Sequence, residues 1–205
     1  RRKVRDTKEI KRIIDNTKQG VLIPVSTCFF NSRNVEIDPY FLGAMLGDDG
    51  LTKHLTFTNN DPEIFDYIKP YLDSEGITIL AKRPMQYSIV SGRHNSKGYP
   101  VNHLAEKFKR YGLLPISCAE RFIPEDYKFN SEDVRLNVLK GLLDTDGYAD
   151  SRGHISFVSK SKRLAEDVQF LVRSLGGRAS LKIISKSCKE YDFVGEYYSV
   201  NITIN

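Results

Sequence analysis

Apolar and polar residues alternate along several short segments of the chain. In residues 178–183, Ala, Leu and Ile fall on one face and Arg, Ser and Lys on the other, and residues 199–205 alternate in the same way. The alternation is weaker over residues 77–82 and 86–89. A period of two with one apolar face is typical of antiparallel sheets that helices cover on one side. The pattern therefore predicts an α+β fold.

The chain contains an internal repeat. Phe57 precedes Gly76 by 19 residues, and Phe157 precedes Gly176 by the same distance. Each interval reads as a short strand, a helix of about four turns and a glycine that ends the helix. The two helices begin at stretches rich in capping side chains, residues 60–62 and 159–161. Two similar halves are therefore predicted.

An acid–glycine pair precedes each copy, at the ends of residues 42–50 (LGAMLGDDG) and 139–147 (LKGLLDTDG). Small and apolar residues predict that both segments are helices that pack with close backbones. Their C-terminal ends would bring Asp49 and Asp146 together. Helix C-termini carry partial negative charge, so two carboxylates there repel each other unless a cation is bound. Oxygen ligands favour Mg²⁺, with Mn²⁺ as the alternative, and suit phosphodiester hydrolysis.

Other interpretations of these acids remain open from the residues alone. Either acid–glycine pair could be a simple turn that ends a helix, and only the duplication favours a shared site. Within the two segments, Asp48 and Asp144 are interpreted as local helix-end residues and not as metal ligands.

Composition limits the class of protein. The 205 residues carry a formal net charge of +5, which fits a nucleic-acid partner and equally a mildly basic enzyme. The three cysteines and four histidines lack the spacings of a zinc site or a disulfide framework. No apolar run is long enough to cross a bilayer, and the first residues lack the apolar stretch of a signal peptide. We therefore expect an intracellular protein.

The polar faces of the predicted strands carry cations and amides instead of acids. Such a face is either a solvated surface or a DNA-binding face, since Arg and Lys reach guanine or phosphate and Asn and Gln read adenine. On the second interpretation, the residues expected to contact DNA are Lys82, Arg83, Gln86, Ser88, Arg93, Arg178, Ser180, Lys182, Asn201 and Thr203.

Residues 139–147 match the LAGLIDADG motif closely, and residues 42–50 match it more loosely, with Gly47 in place of the first Asp. The chain therefore resembles the two-motif LAGLIDADG homing endonucleases over about residues 36–205. It most resembles the endonuclease domains carried inside inteins, through the ordered segments DPYFLGAMLGDDG, RFIPEDY, LNVLKGLLDTDG and FVSKSKRLAEDVQFLVRSLGG.

The resemblance implies two pseudo-symmetric αββαββ halves, residues 36–131 and 132–205, that form a DNA-binding saddle with the motif helices paired at its centre. Residues 1–35 would be a basic extension similar to the connector between an intein's splicing part and its nuclease. The last acid of each motif, Asp49 and Asp146, would hold the metal ions that cleave both strands of a long asymmetric DNA site.

The resemblance also assigns supporting residues. Polar residues at the positions of Asn60 and Lys160 would order metal-bound water. A lysine in a K-x-I-P segment is catalytic in the family, and here that position is Arg121. Arginine keeps the positive charge but does not readily release a proton. Arg121 is therefore the expected third catalytic residue, and its identity leaves cleavage in question.

The sequence departs from the family at its ends. A second counterpart of the amphipathic helix of residues 101–113 would begin near Asn201, so the second half is expected to lack its final helix. Residue 1 is Arg and the last residues are not His-Asn, so self-splicing by this chain alone is not expected. The alternatives to an endonuclease are a cleavage-deficient DNA-binding module and one piece of a split intein that splices with a second fragment.

Overall fold

The computed structural model describes residues 5–17, 26–48, 50–188 and 193–203. The elements in chain order are α1 (Thr7–Asn16), α2 (Pro39–Gly47), β1 (Thr56–Thr58), α3 (Pro62–Ser74), β2 (Ile77–Arg83), β3 (Gln86–Ser91), α4 (His103–Arg110), α5 (Glu125–Lys128), α6 (Glu132–Asp146), β4 (Gly147–Ala149), β5 (Ile155–Ser159), α7 (Lys162–Ser174), β6 (Arg178–Cys188) and β7 (Phe193–Thr203). Among these residues, no helix combines the length and apolarity needed to cross a membrane.

Two antiparallel sheets, one in each half, confirm the predicted α+β class. The first sheet has the strand order β1-β3-β2, and the second has the order β4-β5-β7-β6. The second half therefore follows the predicted order αββαββ. In the first half the described residues between α2 and β1 form no strand, so the first sheet has three strands where the second has four.

The repeated strand–helix–glycine units are confirmed. Asp61 caps α3 by accepting a hydrogen bond from the Glu63 amide, and Ser161 caps α7 by accepting one from the Leu164 amide. The glycines that follow the helices, Gly76 and Gly176, have φ angles of 64° and 88°, which a residue with a Cβ rarely adopts.

The halves join through the motif helices α2 and α6, which approach backbone to backbone. A Cβ at Gly43 would lie 2.2 Å from the Val138 carbonyl oxygen, and a Cβ at Gly141 would lie 2.1 Å from the Tyr40 carbonyl oxygen. Only glycine permits this separation. The predicted pairing of the motif helices is confirmed.

The extended segment between α1 and α2 packs against the second half. The Cys28 amide donates a hydrogen bond of 2.8 Å to the Ser174 carbonyl at the end of α7. The Phe30 ring lies 5.6 Å from the Phe129 ring and 6.4 Å from the Phe170 ring, measured between centroids. Part of the predicted N-terminal extension therefore belongs to the packed core, while the domain boundaries themselves stay predictions.

Candidate active site and nucleic-acid interface

The C-terminal ends of α2 and α6 meet at a cleft of about 270 Å³. A Cβ at Gly47, the last residue of α2, would lie 2.0 Å from Thr145 Oγ1 and 3.5 Å from Asp146 Cβ. The lining residues are Gly47, Asp48, Thr58, Asn59, Thr145 and Asp146. The cleft is thus bordered by the ends of both motif helices and by the end of β1.

Asp48 lies in this cleft, contrary to its interpretation as a purely local helix-end residue. Its side chain is buried, and Oδ2 accepts a hydrogen bond of 2.9 Å from the Thr58 amide. This bond fixes the carboxylate between the end of α2 and the end of β1. Asp49, the predicted ligand, lies outside the described residues.

The helix contacts define the pseudo-two-fold relation between the motifs. Gly43 lies against the Val138 carbonyl oxygen, and Gly141 lies against the Tyr40 carbonyl oxygen. Val138 follows Tyr40 by 98 residues and Gly141 follows Gly43 by 98 residues, so the two contacts are equivalent. The same shift relates Asp48 to Asp146. Sequence reasoning aligned the terminal Asp-Gly pairs instead. Aligning the contact glycines, Gly43 with Gly141, would have selected Asp48.

Asp146 is the last residue of α6, and its side chain is exposed at the cleft. Asp144, two residues earlier, accepts a hydrogen bond of 2.8 Å from the Tyr40 hydroxyl through Oδ2. Asp144 therefore contacts the other helix and does not line the cleft, and its exclusion as a ligand stays a prediction.

Arg121 lies buried at the end of α2, with 4% of its surface exposed. Its Nη1 donates hydrogen bonds to the carbonyl oxygens of Leu46, at 3.0 Å, and Gly47, at 3.5 Å. A cation at a helix C-terminus offsets the partial negative charge there. Arg121 is thus next to the cleft, as expected, but its guanidinium is engaged with the helix end.

The donor chemistry of the cleft fits a hard divalent cation, because its polar lining atoms are carboxylate, hydroxyl, amide and backbone groups without thiols or imidazoles. Asp48 and Asp146 supply the charge. The described residues do not contain a cluster of three or more His, Cys, Asp or Glu side chains that could hold a metal. Any further ligands would therefore be lining oxygens, water or DNA.

The residues predicted to order water have different surroundings. Asn59, not its exposed neighbour Asn60, lines the cleft. The Lys160 ammonium lies 4.8 Å from the centroid of the Tyr197 ring. Asn59 was missed because the sequence identifies the loop between β1 and α3 without showing which of its amides points towards the helix ends.

The predicted polar face of the second sheet is present. The cross-strand pairs are Arg178 with Thr203, Ser180 with Asn201, and Lys182 with Ser199, and all of the residues that were predicted are exposed. Cross-strand partners share a face, so these side chains form one polar surface, opposite the buried Val200 and Ile202.

The first sheet presents a similar face. Ser88 pairs with Thr56 and Leu80, and Gln86 pairs with Thr58 and Arg83.

A basic concavity of about 480 Å³ adjoins this face. Lys53, His54, Lys82, Ser88 and Lys109 are among its lining residues. Lys82 thus lies with the predicted DNA-facing residues. Arg93 lies beyond β3 in a loop, outside the strands that form this face. The DNA contacts of all these residues stay predictions.

Two similar α+β halves, joined by glycine-packed helices that end at one acidic cleft, are the features expected of a two-motif LAGLIDADG protein. Residues 133–202 match the family described as LAGLIDADG-like domain. The chain therefore carries a LAGLIDADG-like domain, and the resemblance inferred from the motifs is confirmed.

Two solved structures share the fold. One is a variant of I-DmoI in complex with its target DNA in the presence of 2 mM Mg, with a TM-score of 0.50 and 17% identity, covering 81% of this chain and 88% of that one. The other is a mesophilic variant of the homing endonuclease I-DmoI, with a TM-score of 0.51 and 18% identity, covering 82% and 88%. The fold of this chain is thus that of a LAGLIDADG homing endonuclease.

A curated relative is the replicative DNA helicase DnaB of Mycobacterium intracellulare. It is 32% identical over 146 residues, which are 71% of this chain and 20% of the helicase. The chain therefore spans about a fifth of the length of this relative.

Proposed function

We propose that the protein is a site-specific endonuclease that cleaves both strands of a DNA duplex by phosphodiester hydrolysis with a divalent metal ion. The observation that carries the proposal is the cleft at which Asp48 and Asp146 arrive from pseudo-symmetric positions. Two acids related by a pseudo-two-fold suit two phosphates on opposite strands. The polar faces of the two sheets supply a surface for the DNA on either side.

In this function Asp48 and Asp146 hold the metal, Mg²⁺ by preference and Mn²⁺ as the alternative. When bound, the ion polarises a phosphate oxygen and lowers the pKa of a water molecule. Thr58 keeps Asp48 in place through its amide, and Arg121 offsets the negative end of α2. Asp48 thus replaces Asp49 as our proposed partner of Asp146.

DNA binding would use the exposed polar side chains of both sheets. Arginine and lysine on these faces contact phosphates and guanine, and the amides of Gln86 and Asn201 are suited to adenine. I-DmoI, which has the same fold, was solved in complex with its target DNA, and this supports duplex DNA as the ligand.

We further propose that the nuclease derives from an intein. The match to one fifth of a much longer relative agrees with a domain carried inside a host protein. The test is to locate the residues of the helicase that match this chain within the full helicase sequence. A match that coincides with helicase core segments would contradict an intein origin.

A second candidate is a DNA-binding protein of the same fold that does not cleave. It is favoured by one observation, the engagement of the Arg121 guanidinium with the carbonyls of Leu46 and Gly47. A guanidinium that is held by these carbonyls is less available to contact the scissile phosphate during cleavage.

One experiment separates the two. The protein is incubated with duplex DNA that carries the uninterrupted host-gene junction, in Mg²⁺ and in Mn²⁺, and binding and cutting are measured together. We expect Asp48→Asn and Asp146→Asn to lower the cleavage rate by about 10²-fold or more while duplex binding persists. Asp49→Asn is the matched control and should retain cleavage.

Binding without cutting in either ion would establish the second candidate. Loss of cleavage in Asp49→Asn but not in Asp48→Asn would return the ligand role to Asp49.

A further inference from the structure

Strand β2 forms one edge of the first sheet. Within the described part of the chain it pairs with β3 alone, so its other side has no strand neighbour. The Ile89 amide of β3 donates a hydrogen bond of 3.0 Å to the Leu55 carbonyl, on the side away from β2. Because the N–H and C=O of a strand residue point in one direction, Ile89 does not bond to its β2 partner, Ile79. Ile79 therefore directs both backbone groups outward, and by alternation so do Ile77 and Ala81.

A groove of about 490 Å³ lies between this edge and helix α3. Its apolar lining residues are Phe65, Leu72, Ile77, Ile79, Ala81 and Tyr87. Lys69 and Asp73 of α3 also line it, and they form an exposed ion pair of 3.4 Å with each other. The strand residues that line the groove are thus the residues whose backbone groups point outward. One ligand can reach both the apolar surface and the hydrogen-bonding groups.

The second half closes the corresponding edge with its own side chains. A spacing of 100 residues relates α3 to α7, and it relates Ile79 to Ala179 and Asp73 to Arg173. Arg173 donates two hydrogen bonds to the Ala179 carbonyl, through Nε at 3.2 Å and Nη2 at 2.8 Å. The outward carbonyl of the second sheet is therefore satisfied by the helix that lies above it.

The neighbouring amide of the second sheet is closed in the same way. With the Gln169 amide oriented to satisfy both of its ends, Oε1 accepts a hydrogen bond of 3.1 Å from the Leu181 amide. The 100-residue spacing relates Gln169 to Lys69, which instead donates to Asp73 Oδ2. Among the described residues, no side chain bonds to the outward carbonyl or amide of the first sheet. The first half thus leaves open the edge that the second half closes.

We propose that this edge and groove bind an extended segment of another protein as an added strand. The backbone of the segment bonds to the outward groups of Ile79 and Ala81, and its alternate apolar side chains fill the groove. Exposed strand edges recruit such segments unless the protein covers or blocks them. The inference goes beyond the proposed cleavage of DNA and does not depend on it.

The charges beside the groove define the chemistry of the partner. Asp66, Lys69 and Asp73 follow one another along α3 at intervals of three and four residues, so they form one stripe at the rim. The stripe holds two acids and one cation, and its net charge is negative. A segment that carries Lys or Arg beside its apolar residues is complementary to it.

A second copy of the chain fits this site less well. Antiparallel pairing of β2 with the β2 of a copy is two-fold symmetric, so the same patch of each molecule faces the other. The acidic stripes of the two α3 helices would then lie side by side and repel each other. The copy's Ile77 and Ile79 already pack into its own core, so they would not fill the groove. A segment without a helix above it avoids both conflicts.

The test uses a fluorescently labelled peptide with Val, Ile and Val at alternate positions, Thr between them and Lys at each end. Its binding to the whole chain is measured by fluorescence anisotropy, and amide hydrogen exchange locates the site. We expect saturable binding that slows exchange of the Ile79 and Ala81 amides by about tenfold or more. A peptide with Ser in place of its apolar residues should not bind.

Two variants block the edge in different ways. Lys69→Gln combined with Asp73→Arg gives the first half the side chains that close the second, and should weaken peptide binding by about tenfold or more. Ala81→Pro removes an outward N–H without removing a bond to β3, and should weaken it similarly. The matched control is Lys162→Gln combined with Glu166→Arg, because these residues form an exposed ion pair four positions apart on α7, away from the groove. This control should bind the peptide as the unaltered protein does.

Three results would overturn the proposal. They are peptide binding that is equal in the unaltered protein and in the Lys69→Gln, Asp73→Arg variant, slowed exchange that is confined to other strands, and the absence of saturable binding. Dimers of the unaltered protein that are lost in Ala81→Pro would also contradict it, because a second copy would then occupy the edge. None of these outcomes changes the expected cleavage of DNA, so the two proposals fail separately.

Discussion

The Tyr40 hydroxyl donates a hydrogen bond of 2.8 Å to Asp144 Oδ2, from one motif helix to the other. The Tyr40 ring also stacks on Tyr67, with centroids 4.9 Å apart. Burial, followed by the hydrogen bond to Asp144, raises the pKa of Tyr40 above its ordinary value of 10.0. The neutral phenol is therefore part of the contact between the two halves.

This contact predicts a loss of stability at alkaline pH. The folded state holds the Tyr40 proton above pH 10, whereas the unfolded state releases it there. The contribution is thus fully present below about pH 10 and is lost as the pH rises towards the raised folded value. We expect the unfolding free energy to fall less steeply between pH 9 and pH 11 in Tyr40→Phe, by urea denaturation. Tyr99→Phe, at an exposed ring, is the control. Equal slopes in both variants would refute the prediction.

The close approach of α2 and α6 predicts a large cost for one methyl group. In Gly43→Ala the new Cβ meets the Val138 carbonyl oxygen at 2.2 Å, so the helices must separate. The better helix propensity of alanine, about 1 kcal/mol, is outweighed by overpacking of about 1–3 kcal/mol or more. The same substitution at Gly92, which has open space around it, should change stability little. Urea unfolding measures both, and equal midpoints would show that the interface relaxes.

Much of the fold follows from local signals. Period-two alternation identified the polar faces that carry Arg178 and Lys182, because a strand with one face against the core alternates apolar and polar residues. The glycines Gly76 and Gly176 were recognisable because helix ends that need positive φ favour glycine. These features depend on nearby residues, which a single sequence displays.

The cleft was harder to predict because it depends on the register between two helices. The side chains of consecutive residues, such as the acids Asp48 and Asp49, project about 100° apart around a helix axis. In an extended chain they project to opposite faces. The contacts of Gly43 with Val138 and of Gly141 with Tyr40 together fix which acid is related to Asp146.

A second limit concerns long-range packing. No local signal indicates that Phe30 joins the second half, because its partner Phe170 is 140 residues away.

That packing predicts different roles for two adjacent phenylalanines. Phe30 is half-buried between Phe129 and Phe170, and the Arg135 guanidinium lies 5.0 Å from its ring centroid. Phe29 is 88% exposed. We expect Phe30→Ala to lower the unfolding free energy by about 2–3 kcal/mol and Phe29→Ala by less than about 0.5 kcal/mol. Chemical denaturation of both variants tests this, and similar costs would show that the segment before α2 is not part of the core.

The position of Arg121 predicts that it stabilises the end of α2 more than it serves chemistry. Arg121→Met keeps most of the side-chain volume but leaves the Leu46 and Gly47 carbonyls without their charged donor, so we expect a loss of about 2–3 kcal/mol. Arg121→Lys retains the charge but not the planar fork, and should lose about 1–2 kcal/mol without increasing DNA cleavage.

The matched control is Arg163→Met. Arg163 is exposed, and its guanidinium lies 4.0 Å from the centroid of the neighbouring Phe122 ring, so its loss should cost no more than about 1 kcal/mol. Urea unfolding and cleavage in Mg²⁺ are measured on all three variants. An Arg121→Met variant as stable as Arg163→Met would contradict the role at the helix end. A tenfold gain of cleavage in Arg121→Lys would show instead that position 121 acts on the phosphate, because an ammonium there would then do what the guanidinium does not.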